Sequence, residues 1–157
     1  MNILLLEDEK DLSTSAVMQL ETKGHQVTPV YDIAEARDAL GNPEQKFQVV
    51  IADHQLPDGF GIHFVESIRD QYPHCAFAIV SGCLVTEDVD RLERAKIPYF
   101  RKPLLYAKVL DEVRRLHCMN APVMEAPEDE PDPEAALDEE PELEPKPKKR
   151  KKLFGLF

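Results

Sequence analysis

A doubly wound parallel α/β sheet is the fold this sequence predicts, and three observations predict it. Five short apolar runs, Ile3–Leu6, Val27–Val30, Val49–Ala52, Phe77–Val80 and Tyr99–Phe100, begin 24, 22, 28 and 22 residues apart. The first, third and fourth are continuous rather than alternating, as strands covered on both faces should be. Each interval between runs carries apolar residues at helical spacing. Alternating strand–helix units of this size, joined by right-handed crossovers, give a parallel sheet with helices on both sides.

The first run leads into a helix with Leu12, Ala16 and Leu20 on one face, closed at Lys23-Gly24, where glycine supplies the left-handed end. After the second run, Asp32 and Glu35 read as a capping box opening a helix through Ala36 and Leu40, which Gly41 stops. Ile62, Val65, Ile68 and Tyr72 mark the third helix, ended by Pro73. Thr86 is placed to cap a fourth helix bearing Val89, Leu92 and Ala95, the thinnest apolar stripe of the set. Pro98 should keep the fifth strand short, and Leu105, Val109, Val113 and Leu116 complete a fifth helix. Five such units in residues 1–118 fit the flavodoxin-like (βα)5 fold with strand order 2-1-3-4-5.

Charge divides the chain more sharply than hydropathy does. Residues 1–118, 121–145 and 146–152 carry balances of −6, −11 and +6, which together make the chain's −11. The acidic balance of the first part argues against direct DNA binding by the folded domain. The segment 121–145 has six prolines, eleven acidic residues and no aromatic one. It is too poor in apolar surface to offset ordering entropy and is predicted to be a disordered linker, about 25–30 Å end to end as a flexible coil. Three cysteines, Cys75, Cys83 and Cys118, form no paired spacing and read as reduced apolar filler. No apolar stretch approaches the roughly 18 residues of a membrane span, and the N-terminus lacks the pattern of a secretory signal, so a cytoplasmic protein is expected.

The chemistry gathers at the carboxyl ends of the strands, where open α/β sheets keep their reactive groups. Asp53 closes the third run and is followed by His54-Gln55-Leu56-Pro57-Asp58-Gly59, while Glu7-Asp8-Glu9 follows the first. Strands one and three are neighbours in the expected order, so Glu7, Asp8 and Asp53 should converge. Close carboxylates raise one another's proton affinity, and a hard divalent cation such as magnesium relieves the repulsion. Metal-neutralised, Asp53 can attack phosphorus and become an aspartyl phosphate. Lys102, ahead of Pro103, fits as the positive charge that balances a phosphate oxygen, and the Ser81 hydroxyl at the end of the fourth run can hydrogen-bond one.

With these motifs in place, namely Leu4-Leu5-Leu6-Glu7-Asp8-Glu9, Val50-Ile51-Ala52-Asp53 with Leu56-Pro57-Asp58-Gly59, Val80-Ser81-Gly82 and Tyr99-Phe100-Arg101-Lys102-Pro103, residues 1–118 resemble the receiver domain of two-component response regulators. The resemblance implies Asp53 as phosphoacceptor, Asp8 and Asp53 as direct magnesium ligands with the backbone carbonyl of Gln55, and Glu7 acting through metal-bound water. It implies Lys102 as the phosphate-binding lysine, Ser81 as the switch hydroxyl and Tyr99 as the aromatic that turns inward on activation, reshaping the fourth helix, fifth strand and fifth helix. A histidine kinase or phosphotransfer protein would be the donor, and the domain itself is not an enzyme beyond slow self-catalysed turnover. Three positions depart from the commonest pattern: Glu7 stands where Asp is more usual, Ser81 where Thr is common, and Pro98 precedes Tyr99 where glycine or alanine is more typical.

No second globular domain is expected after residue 118, so output falls to the receiver surface or to 146–157. There, six cations precede Leu153, Phe154, Leu156 and Phe157, a pattern suited to an anionic membrane surface or to a partner's apolar groove. A phosphatase using the same strand-end aspartate would need an acid/base two positions on, where Gln55 cannot titrate. A flavin or nucleotide module would need a glycine loop where Glu7-Asp8-Glu9 would repel phosphate. The remaining alternative is a phosphorylation-independent scaffold whose tail docks a partner.

Overall fold

The computed structural model describes residues 1–120, with side chains to Cys118. The predicted acidic linker, 121–145, and basic-apolar end, 146–157, lie outside the described residues. The elements run β1 (Asn2–Leu6), α1 (Lys10–Glu21), β2 (Gln26–Val30), α2 (Ile33–Gly41), β3 (Val49–Asp53), β4 (Gln55–Leu56), β5 (Gly59–Phe60), α3 (Gly61–Ile68), β6 (Ala76–Ser81), α4 (Thr86–Ala95), β7 (Tyr99–Arg101) and α5 (Tyr106–Asn120). Five strands form one sheet in the order β2-β1-β3-β6-β7, and every pair in it is parallel. This is the expected 2-1-3-4-5 arrangement. A two-stranded antiparallel hairpin, β4–β5, was not foreseen from sequence.

The continuous apolar strands are explained by what covers them. Leu4 and Leu6 of β1, Val50 and Ala52 of β3 and Ile79 of β6 pack with Ala36, Leu40, Ile62, Val65 and Leu92 of α2, α3 and α4. Ile3, Leu5, Val49, Ile51, Ala78 and Val80 face the other way, onto Ala16 and Leu20 of α1 and Tyr106, Val109, Leu110 and Val113 of α5. Alternate side chains of one strand thus fill two cores. Pro29 sits in β2, which pairs only with β1, because an edge strand tolerates a residue without an N–H. Pro98 leaves β7 only three residues, as expected.

Four helix assignments need correction, the first being α3, which ends at Ile68 so that Tyr72 lies beyond it after a 3-10 turn. Leu12 is exposed, and the inward stripe of α1 is Ser13, Ala16 and Leu20. Leu105 lies before α5 and is 54% exposed, so the buried face begins one residue later, at Tyr106. Thr86 is the first residue of α4 rather than its cap; Val85 precedes the helix, and the Asp88 carboxylate accepts the Val85 N–H at 3.4 Å. Of the cysteines, only Cys75 is buried filler, its thiol pKa pushed up to about 12 by desolvation, whereas Cys83 and Cys118 are exposed.

Asp32 caps α2 through the Glu35 N–H at 2.7 Å, while Glu35 reaches past it to the Tyr31 N–H at 2.8 Å. Asp58, from the loop beyond Asp53, accepts the Ile33 and Ala34 N–H groups at 2.9 and 3.0 Å. The turn after β3 is therefore pinned to the start of α2. Gly61 closes the same turn, since a Cβ there would lie 2.0 Å from the Asp53 carbonyl oxygen.

Candidate functional site

Parallel pairing of β1 and β3, with Leu6 opposite Ala52, brings the residues that follow each strand to one edge. Glu7, Asp8 and Asp53 meet there with ligand-capable oxygens all within 4.8 Å of one another. The three differ in exposure. Glu7 is 1% and Asp53 8% exposed, whereas Asp8 faces solvent. Lys102 enters from the end of β7, its Nζ donating to Glu7 Oε2 and to Asp53 Oδ2 at 2.6 Å each. The sequence-predicted acids and lysine are therefore brought together.

The electrostatics are strongly unbalanced. Burial drives the Glu7 carboxyl pKa above its usual range, even though hydrogen bonding and charge from Lys102 oppose it. Burial pulls the Lys102 ammonium pKa down, but the hydrogen bonds and charges of Asp53 and Glu7 outweigh it and leave the pKa above normal. One ammonium thus faces three carboxylates. Glu7 Oε1 is moreover buried with no hydrogen-bond partner, a costly state for an anionic oxygen. A crowded all-oxygen donor set, an excess of negative charge and an orphaned carboxylate oxygen together fit a hard divalent cation with bound water.

The other expected residues have the following contacts. The Gln55 N–H donates to Asp53 Oδ1 at 3.2 Å, while its own side chain is exposed. Ser81 ends β6 beside the site, but its hydroxyl donates to the Cys83 carbonyl at 2.9 Å and accepts the Cys83 N–H at 3.1 Å. It is engaged by its own turn. Tyr99 is half-buried, with its hydroxyl donating to Glu93 Oε1 at 3.2 Å, so the ring's polar end is directed to the α4 side.

Two features escaped sequence reasoning. The Tyr106 hydroxyl, from the first residue of α5, donates to Glu7 Oε2 at 3.2 Å. Burial and the Glu7 carboxylate raise the phenol's pKa far above normal. His54, directly after Asp53, is buried against α4, its Nε2 3.3 Å from Asp88 Oδ2 and its ring stacked on Phe60. The signal for Tyr106 was the 106/109/110/113 stripe, obscured by counting from Leu105. No local pattern joins His54 to Asp88, which lies 34 positions further along the chain.

A separate groove lies away from these residues. It measures about 700 Å³ and runs between β7 and α5, lined by Phe100, Pro103, Leu104, Leu105, Lys108 and Val109 among others.

Comparison with known proteins agrees with this geometry. Residues 3–114 match the response regulator receiver domain family. The response regulator protein PilR of Pseudomonas aeruginosa is 27% identical over 134 residues, 80% of this chain and 28% of PilR. The sensor protein TorS of Escherichia coli is 30% identical over 87 residues, 55% of this chain and 9% of TorS. The chain thus spans less than a third of either relative. A CheY-like response regulator receiver domain protein from Methanospirillum hungatei superposes with a TM-score of 0.67 at 22% identity, covering 75% of this chain and 94% of that one. The non-phosphorylated HemR receiver domain from Leptospira biflexa gives a TM-score of 0.65 at 25% identity, covering 77% and 97%.

Proposed function

The chain belongs to the response regulator receiver domain family, and from that premise we propose that Asp53 is its phosphoacceptor and that the Glu7–Asp8–Asp53 cluster holds magnesium. The family is a signalling, phosphoaccepting one rather than a family of enzymes with separate substrates. The observation that carries the reading is Lys102 Nζ lying 2.6 Å from both Asp53 and Glu7, beside Asp8. Asp8 and Asp53, with the Gln55 carbonyl, would be the direct ligands, and Glu7 would act through bound water. The cation supplies charge neutralisation, so that a phosphoryl group can approach an anion.

Asp53 then contributes the nucleophilic oxygen. A P–O bond forms on its carboxylate as the P–N bond of a donor phosphohistidine breaks, the electron pair remaining on the imidazole nitrogen. Lys102 follows the new phosphoryl oxygens, and Ser81 exchanges its Cys83 contacts for one of them. Tyr99 gives up Glu93 and turns into the space so left. The partner upstream is a histidine kinase or phosphotransfer protein, and the output face is α4–β7–α5, where an open groove of mixed apolar and charged lining lies between β7 and α5.

Binding of beryllofluoride, a phosphoryl mimic, in the presence of magnesium tests the acceptor. Wild type should bind it and Asp53→Asn should not; equal binding by both removes the assignment and leaves the scaffold reading.

Residues 146–157 are the second proposed output, with six cations beside four large apolar side chains. Each cation contributes about 1 kcal/mol near an anionic leaflet. Among the described residues no helix is long and apolar enough to cross a membrane. Full-length chain should sediment with anionic liposomes and a chain ending at Asn120 should not; if both stay in the supernatant, the membrane reading fails.

A further inference from the structure

We propose that Tyr106 is a positioning residue of the cation site, matched to the glutamate at position 7. Its hydroxyl holds Glu7 Oε2 and leaves Oε1 as the oxygen that orients metal-bound water. The inference deepens the magnesium reading above and rests on it.

Three observations carry it. First, Oε2 is doubly engaged, by Lys102 Nζ at 2.6 Å and by the Tyr106 hydroxyl at 3.2 Å, while Oε1 is buried and has no partner. A carboxylate with one oxygen clamped and the other bare has a defined orientation, which is what a group acting through a water molecule needs. Second, Tyr106 is itself fixed. It is 7% exposed, packs with Leu5, Ala16 and Leu20, and its N–H donates to Gln19 Oε1 of α1 at 3.0 Å. The phenol therefore reaches Glu7 from a position set by two helices. Third, Lys102 is shared with Asp53. When a phosphoryl group on Asp53 draws the ammonium away, the phenol is the donor that remains on Oε2, so Glu7 keeps its place as the charge around it changes.

The arrangement also explains why a longer acid is accommodated at position 7. An aspartate carboxylate would stop one methylene short of the phenol. The hydroxyl of Tyr106 and the extra methylene of Glu7 are useful only together, and that makes the pair separable from an ordinary buried tyrosine that has found the nearest acceptor.

Isothermal titration of the full chain with magnesium chloride, across wild type, Tyr106→Phe, Glu7→Asp and the double variant, tests the pairing. Tyr106→Phe should weaken magnesium by about three- to tenfold, less than the roughly 10–100-fold typical when a residue directly supporting a ligand is lost. In the Glu7→Asp background the same substitution should change affinity by less than about twofold, because the partner is out of reach. A magnesium-induced change in tyrosine near-ultraviolet absorbance should vanish in Tyr106→Phe and persist in Tyr31→Phe and Tyr99→Phe. Equal losses in both backgrounds, or an absorbance change that survives Tyr106→Phe, would overturn the pairing and leave Tyr106 as core packing. If wild type itself binds no magnesium, it is the reading of the whole pocket that fails. Urea unfolding in metal-free buffer separates a general loss of stability, which would appear in both backgrounds alike.

Discussion

The two walls of the acidic pocket are built to different standards of rigidity. On the β1–α5 side, Glu7, Lys102 and Tyr106 form a chain of hydrogen bonds among groups that are at most 17% exposed, and α5 buries Tyr106, Val109, Leu110 and Val113 beneath it. On the β6–α4 side, Leu92 is the one buried residue of α4, Val85 ahead of the helix is 55% exposed, and Cys83 faces solvent. Segments with few buried apolar contacts open at low free-energy cost. Charge is held on one wall and motion is available on the other. If Asp53 is phosphorylated as proposed, Ser81 can be recruited by remodelling the Ser81–Val85 turn while Tyr106 still holds Glu7 on the opposite wall.

Lys102→Ala attacks the rigid wall and should have the largest effect. It strands two buried carboxylates, Glu7 and Asp53, without their cation. Removing one partner from a buried ion pair costs about 3–5 kcal/mol, and the 17% exposure of Lys102 puts the expectation near the lower end, about 3 kcal/mol. Urea unfolding in metal-free buffer measures it. Magnesium should restore part of the loss, because a cation binding only the native state at about 100 times its Kd adds about 2.7 kcal/mol. A loss below about 1 kcal/mol, or no response to magnesium, would mean the carboxylates are not held by charge.

The same contrast explains what the sequence disclosed. Strand order, the five helices and the convergence of Glu7, Asp8, Asp53 and Lys102 were legible because each rests on a pattern within a few residues: a continuous apolar run, a capping pair, an acid or lysine at a strand end. The buried face of α5 was misread by one position because Leu105 and Tyr106 are both apolar enough to begin a stripe, and only packing against Leu5 and Leu20 decides between them. That single step hid the phenol at the site. The β4–β5 hairpin was invisible for another reason. Two-residue strands carry no periodicity, and this pair is followed at once by Gly61, whose N–H donates to the His54 carbonyl at 2.8 Å and which passes close to the Asp53 carbonyl. His54 carries no local signal of its role, since its partner Asp88 is brought near only by the fold.

Asp88→Asn probes the mobile wall and should give the smallest effect on global stability. Asp88 is 26% exposed, and its carboxylate lies 3.3 Å from His54 Nε2 while also accepting the Val85 N–H. Asparagine keeps an oxygen for that N–H but gives up the charge that favours both the imidazole and the helix N-terminus, a difference of about 0.5–1 kcal/mol at a partly exposed site. Spread over the whole domain, this is a small shift in unfolding midpoint. Confined to a helix that opens on its own, it should speed amide hydrogen exchange in α4 by about two- to fivefold and leave α5 unchanged. Equal acceleration in both helices would show that α4 opens only with the whole domain, and the division into a fixed wall and a movable one would be lost. Selective acceleration would identify the Asp88 carboxylate, through His54 and the helix N-terminus together, as what holds α4 in its resting position.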